Sequence, residues 1–560
     1  MGDRRLARGA CGVFLLALAL RLGSLYWSPL PFNPDGVGYA ARTRDALALG
    51  SLPLDGMATD QVGYTAFLAV VSALAGDAPL AVAQPVSALV GAATVFLVVV
   101  LGYRLVRDGR ANPGSRTDGG PAVGSSSRSP ADARVAGLVA GLVLAVEGVY
   151  LYRSMPTDEQ TAGLLLVPAL VLAVDRWLRT GDRAWGGVAA LLAVPLPPLH
   201  NLSGLAGAVA VTVVTCVVAV RRLDRATTGR ALAVVAAAWL YAVGYHALVA
   251  TYTGLEVVQA DRLVRVPGLF AAWVVLVVLA AAWFLTTADR FRRATVLGVV
   301  VASFSLVGLN AVRTVFPSTT PTRRSLLVLL FPLVVPALVA GVAAARPARS
   351  RSVGATTVAL LFGTLAVVGT GLTAQLTFPY LALVYRSHLF AHLPLVALAG
   401  VGVAAIGSRG PGSDRARSVL VVAVVACALA STPVAYAGLD VRTYKSVTTP
   451  AEFAATEFAA TELDGWATDD HLGRVAGYHG GGGGRGPVYR WLRADDRPPP
   501  CPVLAQRSWT GVGAQFHPQP PATLSSAGYD DWRARNDVVY AVAARDPLAV
   551  VLPRGSGGSC

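Results

Sequence analysis

Long apolar runs alternate with short polar, arginine-bearing breaks from the N-terminus to about residue 437. A helix needs about 20 mostly apolar residues to cross about 30 Å of hydrocarbon. By that measure thirteen segments are predicted to span: 10–27, 80–103, 135–152, 161–177, 185–199, 203–220, 231–250, 268–288, 294–312, 325–345, 353–372, 388–406 and 419–437. Several contain Pro or Gly, which membrane helices tolerate because neighbouring groups satisfy the freed backbone. Arg21 interrupts the first run and no small-residue cleavage site follows, so that run reads as an uncleaved anchor. Residues 62–78 are apolar but short, and an interfacial or re-entrant helix competes there with a further span.

The arginines decide between the two. With thirteen spans and the N-terminus inside, 25 arginines fall on inner loops and 9 on outer ones, Arg21 lying in the membrane. Counting 62–78 as a span inverts every later loop and destroys this asymmetry. The positive-inside bias therefore favours the interfacial reading, a cytoplasmic N-terminus and a multi-pass protein of the plasma membrane. Residues 107–133, rich in Gly, Ser and Pro, read as a disordered inner loop. The tail, 438–560, holds 13 acidic against 12 basic residues and enough Trp, Tyr and Val for a small domain. The expected fold is an all-α polytopic membrane domain over 1–437 followed by a small extracytoplasmic α/β domain over 438–560.

Composition agrees with this class. The chain of 560 residues is 54% hydrophobic and only 14% charged, with mean hydropathy +0.56. A soluble domain carries about 25% charged residues. The net charge of +15 resides in clusters between spans and not on a basic, aromatic-laced face, which argues against nucleic acid as a partner. Cys11, Cys216 and Cys427 lie in apolar spans. Cys501 and Cys560 share the tail and can pair in an oxidising compartment, although spacing alone leaves connectivity open. No CxxC or His/Cys ligand spacing is present, so no structural zinc site is expected.

Candidate chemistry gathers in the outer loops. Asn33-Pro34-Asp35-Gly36 is a turn signal just beyond the first span, with a surface helix expected over Tyr39–Leu49. Taken alone, Asp35 is equally a turn or capping aspartate. The second outer loop, 152–159, holds Arg153, Asp158 and Glu159, where an acid can also simply cap the next helix. Arg386, Arg313, Arg323 and Arg324 are cations on the outer side, where the charge bias disfavours them. Each either pairs with a phosphate or snorkels at a helix end. His200 marks an outer hairpin and either touches substrate or serves as a polar hairpin residue. His388 and His392, four apart, share a helix face near Arg386. Asp469-Asp470-His471 reads as a solvated turn.

An acid after the first span, a second after the third and many further spans resemble the C-type glycosyltransferases, the GT-C superfamily. The branches it resembles are the protein mannosyltransferases, aminoarabinose transferases and oligosaccharyltransferases. Arg21, the Asp35-to-Gly50 stretch and Arg153 with Asp158 and Glu159 carry the likeness, which covers roughly residues 1–240. The oligosaccharyltransferase signature WWDYG is absent, the tail having Asp464-Gly465-Trp466 instead, so a single-sugar transferase fits better than a whole-glycan one. The resemblance implies transfer of a monosaccharide from a prenyl-phosphate carrier, polyprenyl or dolichyl, to a glycan, lipid or protein acceptor. Asp35 is then the expected base, with Asp158 and Glu159 arranging the site. Arg153, His200, Arg313, Arg386 and His388 are expected to bind substrate. A divalent cation, Mg or Mn, held by Asp35 and Asp158 is the cofactor to look for. The rivals are a transporter or flippase of lipid-linked sugars and a non-catalytic assembly protein. The first is less favoured, because ionisable residues inside spans are few, chiefly Arg21 and Glu147, and no internal repeat is visible.

Overall fold

The computed structural model describes residues 4–108, 129–222, 224–258, 260–315, 320–406, 413–442, 444–494, 497–554 and 560. Eleven helices among these are long and apolar enough to cross a membrane: Arg4–Tyr26, Pro79–Arg107, Glu159–Thr180, Asn201–Arg222, Arg225–Thr253, Pro267–Thr286, Asp289–Val312, Arg324–Arg349, Gly354–Thr373, Phe378–Ile406 and Asp414–Tyr436. The chain is a polytopic helical membrane protein.

The count falls short of thirteen for two local reasons. The third predicted span is a pair of helices, Pro130–Val146 and Gly148–Ser154, bent by 67°. Glu147 makes the bend. Its backbone turns extended, and its carboxylate accepts the N–H groups of Val149 and Tyr150 at 2.9 and 2.8 Å, capping the second helix. Gly148 permits the close approach there, since a Cβ at that position would lie 1.8 Å from the Ser431 carbonyl oxygen. The fifth predicted span, 185–199, is instead an eleven-residue helix, Arg183–Ala193, and a single turn, Leu196–Leu199. Pro195, Pro197 and Pro198 supply no N–H, so a continuous ladder cannot form. The short helix Val62–Ala75 is 14 residues long, which reaches about 21 Å and falls short of spanning. Of the expected disordered loop 107–133, residues 109–128 lie outside the described residues, and Pro130 already opens a helix capped by Ser129.

Arg21 is fully buried in the bundle. Its guanidinium donates to Ser154 Oγ at 2.6 Å and to the Ala17 carbonyl at 3.0 Å. Gln84 reinforces the junction, donating to the Arg21 and Met155 carbonyls at 3.2 and 3.0 Å and accepting the Phe32 N–H at 2.9 Å. These bonds tie the first span to the second and to the bent pair.

The tail is a small α/β unit. Strands β1 (Val503–Gln506), β2 (Ala514–Phe516), β3 (Gln519–Ala522), β4 (Asp537–Val542) and β5 (Leu548–Leu552) form two antiparallel sheets, β1–β5–β4 and β2–β3. Val503, Phe516, Trp509, Tyr529 and Val551 fill its core. Burying an apolar side chain of this size contributes about 1.5–3 kcal/mol. A disulfide joins Cys501 to Cys560. The Asp469-Asp470-His471 stretch is not a solvated turn. All three residues are buried, and Asp469 caps the helix Asp470–Ala476 by accepting the Leu472 N–H at 3.0 Å. Lys445 and His471 both face the buried Glu452 carboxylate, so the chain's single lysine is a structural partner.

Candidate functional site

Two helix starts form the site. The helix Pro34–Leu49 begins five residues earlier than the sequence pattern predicts. Asn33 caps it by accepting the Asp35 N–H at 3.2 Å, and Pro34 occupies the first helical position, where no N–H is missed. Asp35 therefore stands in a first helical turn, at the positive end of the helix dipole, and not in a free turn. The helix Glu159–Thr180 is capped by Asp158, whose Oδ1 accepts the Gln160 N–H at 2.6 Å.

Both aspartates line one cavity of about 530 Å³. Arg153, Arg386 and His388 line it from the membrane bundle, and Arg442, Tyr444, Arg474 and His517 line it from the tail. Arg262 and Arg323 complete six arginines against two carboxylates, and Leu326, Leu330 and Leu381 give the wall an apolar stretch. The tail is fastened over the mouth. Arg474 pairs with Asp35 at 2.8 Å, Tyr444 donates its hydroxyl to Asn33 Oδ1 at 2.6 Å, and Arg44 donates to the Tyr478 carbonyl at 2.9 Å.

Glu159 and His200 sit behind Arg386. One Arg386 guanidinium nitrogen lies 3.6 Å from Glu159 Oε1 and 3.5 Å from His200 Nε2. Glu159 also accepts the Tyr39 hydroxyl at 2.5 Å. Burial, reinforced by the Arg386 charge, pushes the His200 imidazole well below its ordinary range, so the ring is neutral. Burial, reinforced by the Glu159 charge, pushes the carboxyls of both Asp158 and Asp60 above theirs. Burial also raises the Tyr39 phenol, and the Glu159 charge adds to this, keeping it a hydrogen-bond donor.

Asp60, Glu159 and His200 bring three ligand atoms within 4.8 Å of one another, a set to which neither Asp35 nor Asp158 belongs. The arrangement already contains its own cation, because the Arg386 guanidinium stands beside both Glu159 and His200. His200 Nδ1 faces the Ser203 N–H at 3.3 Å. Arg386 can only donate, so its contact with Nε2 makes that nitrogen the acceptor and puts the ring proton on Nδ1, which also faces the Ser203 hydroxyl at 2.7 Å. A metal ion held by these three side chains would have to displace the Arg386 guanidinium from beside Glu159 and His200.

The remaining sequence candidates divide. Arg323 lines the cavity and donates to the Asp440 carbonyl. Arg313 and Arg324 are exposed and outside its lining. His392 turns to Glu147, 3.0 Å away, and not into the cavity. Asp60, Arg442 and Arg474 carried no local signal. Asp60 lies in a polar break before a short apolar helix, and the two arginines reach the site only because the tail folds back. Arg474 and Asp35 are 439 residues apart.

Fold and site together define a polytopic helical membrane protein whose charged cavity is closed by a small α/β tail. No family model matches the chain, and no curated protein matches it in sequence. The solved structures similar to it include two of oligosaccharyltransferases. One is the archaeal oligosaccharyltransferase AglB from Archaeoglobus fulgidus in complex with an inhibitory peptide and a dolichol-phosphate, at 14% identity and TM-score 0.47, covering 85% of this chain. The other is the apo form of the Archaeoglobus fulgidus oligosaccharyltransferase, at 13% identity and TM-score 0.49, covering 83%. This chain spans 59% of the length of each of them.

Proposed function

We propose that the protein is a membrane glycosyltransferase that moves one monosaccharide from a prenyl-phosphate carrier to a glycan, lipid or protein acceptor at the extracytoplasmic face. The observation that carries this reading is a single cavity combining an accessible carboxylate, Asp35, with an excess of arginines and an apolar wall. A lipid-phosphate donor needs the arginines and the apolar wall, and an acceptor hydroxyl needs the carboxylate. The acceptor oxygen attacks the anomeric carbon, and the bond from that carbon to the phosphate oxygen breaks, leaving its electron pair on the prenyl phosphate. Asp35 takes the hydroxyl proton. Arg386 meets the charge that grows on the departing phosphate. Glu159, His200 and Tyr39 act as positioning residues that hold Arg386 from behind. Arg153 and His388 face the same space as substrate contacts.

The transporter or flippase reading is less well supported. It needs free ionisable groups within the spans, and those at hand are already engaged. Arg21 bonds Ser154 and Ala17, and Glu147 caps a helix and faces His392.

The test is release of free prenyl phosphate by purified protein from a panel of radiolabelled prenyl-phosphate sugars. Asp35→Asn keeps the shape and the first-turn position but cannot accept a proton. Its turnover is expected to fall about 10² to 10⁴-fold with donor binding retained. Near-normal turnover in the folded variant would remove Asp35 from the mechanism, and wild-type protein that transfers from no donor would remove the reading.

A further inference from the structure

A buried guanidinium without a counter-charge is costly, and its free N–H groups mark where an anion belongs. Arg474 is matched by Asp35 and Asp470, at 2.8 and 3.3 Å, and Arg386 by Glu159. Arg442 is different. It follows the last span, lines the cavity and is only 9% exposed. Its Nη1 donates to the Val434 carbonyl at 3.0 Å, while Nη2 is buried with no partner. Its guanidinium stacks 3.2 Å from the centre of the Tyr152 ring. Arg153, half-buried, packs 5.1 Å from the centre of that ring. Among the described residues neither arginine has a carboxylate within ion-pair distance. Burial, to which the Arg153 charge adds, pushes the Arg442 guanidinium below its ordinary range. Two like charges lie against one aromatic ring, and no carboxylate among the described residues is close enough to offset their repulsion.

We propose that Arg442 and Arg153, meeting at the Tyr152 ring where the tail joins the membrane bundle in the cavity wall, form a phosphoryl-binding subsite separate from Arg386. Two guanidiniums match a phosphate dianion in charge, and the planar fork of each suits its oxygens. The phosphoryl group belongs either to the lipid carrier or to a soluble phosphorylated partner. Only the choice between these rests on the transferase reading; the binding itself does not.

The experiment uses the full chain, purified in detergent, and measures binding of inorganic phosphate, farnesyl phosphate and farnesyl diphosphate by titration calorimetry. Wild-type protein is expected to bind at least one probe saturably. Arg442→Gln should weaken that binding about tenfold or more, the order expected for one charge-assisted contact, and Arg442→Lys should restore part of it. Arg153→Gln, at the less buried position, carries the test if Arg442→Gln fails to fold. Tighter binding of the farnesyl probes than of inorganic phosphate, lost in the variants, assigns the subsite to the carrier headgroup. Equal binding of all three, equally lost, assigns it to a soluble phosphoryl group. Wild-type protein that binds none of them, or Arg442→Gln and Arg153→Gln variants that bind as tightly as wild type, overturn the subsite. Because binding is read without turnover, the two readings fail separately. Arg442-dependent phosphate binding in a protein that transfers no sugar keeps the subsite and removes the transferase, and normal transfer with unaffected variants does the reverse.

Discussion

The helix Glu159–Thr180 has a buried aspartate near each end, about 25 Å apart at 1.5 Å per residue, and their surroundings are opposite. Asp175 accepts Arg179 through both carboxylate oxygens, at 2.6 and 3.1 Å, and the Thr356 hydroxyl at 2.9 Å. One acid meets one arginine, and the hydroxyl from the Gly354–Thr373 span joins two helices. Asp158, at the other end, has the Gln160 N–H on one oxygen, another acid next in sequence, and a cavity in front of it. Burial alone does not separate the two. Completeness of pairing does: a matched charge holds helices together, whereas an acid left facing unmatched cations and open volume is available to a ligand.

The largest effect expected on ligand binding comes from Arg386. If the cavity end recognises a carrier phosphate, Arg386→Ala should weaken binding of a prenyl phosphate about 10- to 100-fold, the range of a charge-assisted contact. Lys should recover only part, since it lacks the planar fork. Unchanged affinity would mean that Arg386 serves only to neutralise Glu159, and the two ends of the helix would then be alike in kind.

The opposite end should break differently. Asp175→Asn leaves Arg179 without its counter-charge, and removing one partner of a buried pair costs about 3–5 kcal/mol. The expected outcome is a lowered thermal midpoint with turnover per folded molecule unchanged. Loss of turnover in folded Asp175→Asn protein would place function at both ends and undo the distinction.

Much of the scaffold was legible because membrane helices announce themselves by length. The failures are physical. The segment 185–199 satisfied the hydropathy criterion, but three prolines removed the N–H groups a span requires. Asn33-Pro34-Asp35-Gly36 read as a turn, yet a capping Asn followed by Pro is also how helices start, and packing under the tail selects that outcome. The capping alternative for the loop before Glu159 is legible because capping is local, and Asp158 is the residue that caps. Asp60, Arg442 and Arg474 were invisible because their meaning lies in long-range contacts, and Asp469-Asp470-His471 looked solvated because its partners Glu452 and Gln515 lie elsewhere in the tail.

The smallest expected effect is a pH dependence, and it separates the roles of the two cavity aspartates. Burial, and then the neighbouring Glu159 charge, push the Asp158 carboxyl up to about 7, against about 3.9 for an unperturbed aspartate. Between those values the folded protein holds a proton that the unfolded chain has released. Stability therefore falls as pH rises through this window, and above it the full burden of a buried negative charge is present. Asn at 158 keeps the oxygen that accepts the Gln160 N–H and removes that burden. Relative to wild type, Asp158→Asn should raise the thermal midpoint more at pH 8 than at pH 5. Turnover distinguishes the acids further. If Asp35 is the base, Asp158→Asn retains substantial activity and removes any limb of the wild-type profile that lies near pH 7. If Asp158 is itself the base, that limb disappears together with turnover. A midpoint difference that is the same at pH 5 and pH 8 would show that Asp158 is not held neutral by its surroundings, and the contrast with Asp175 would then rest on geometry alone.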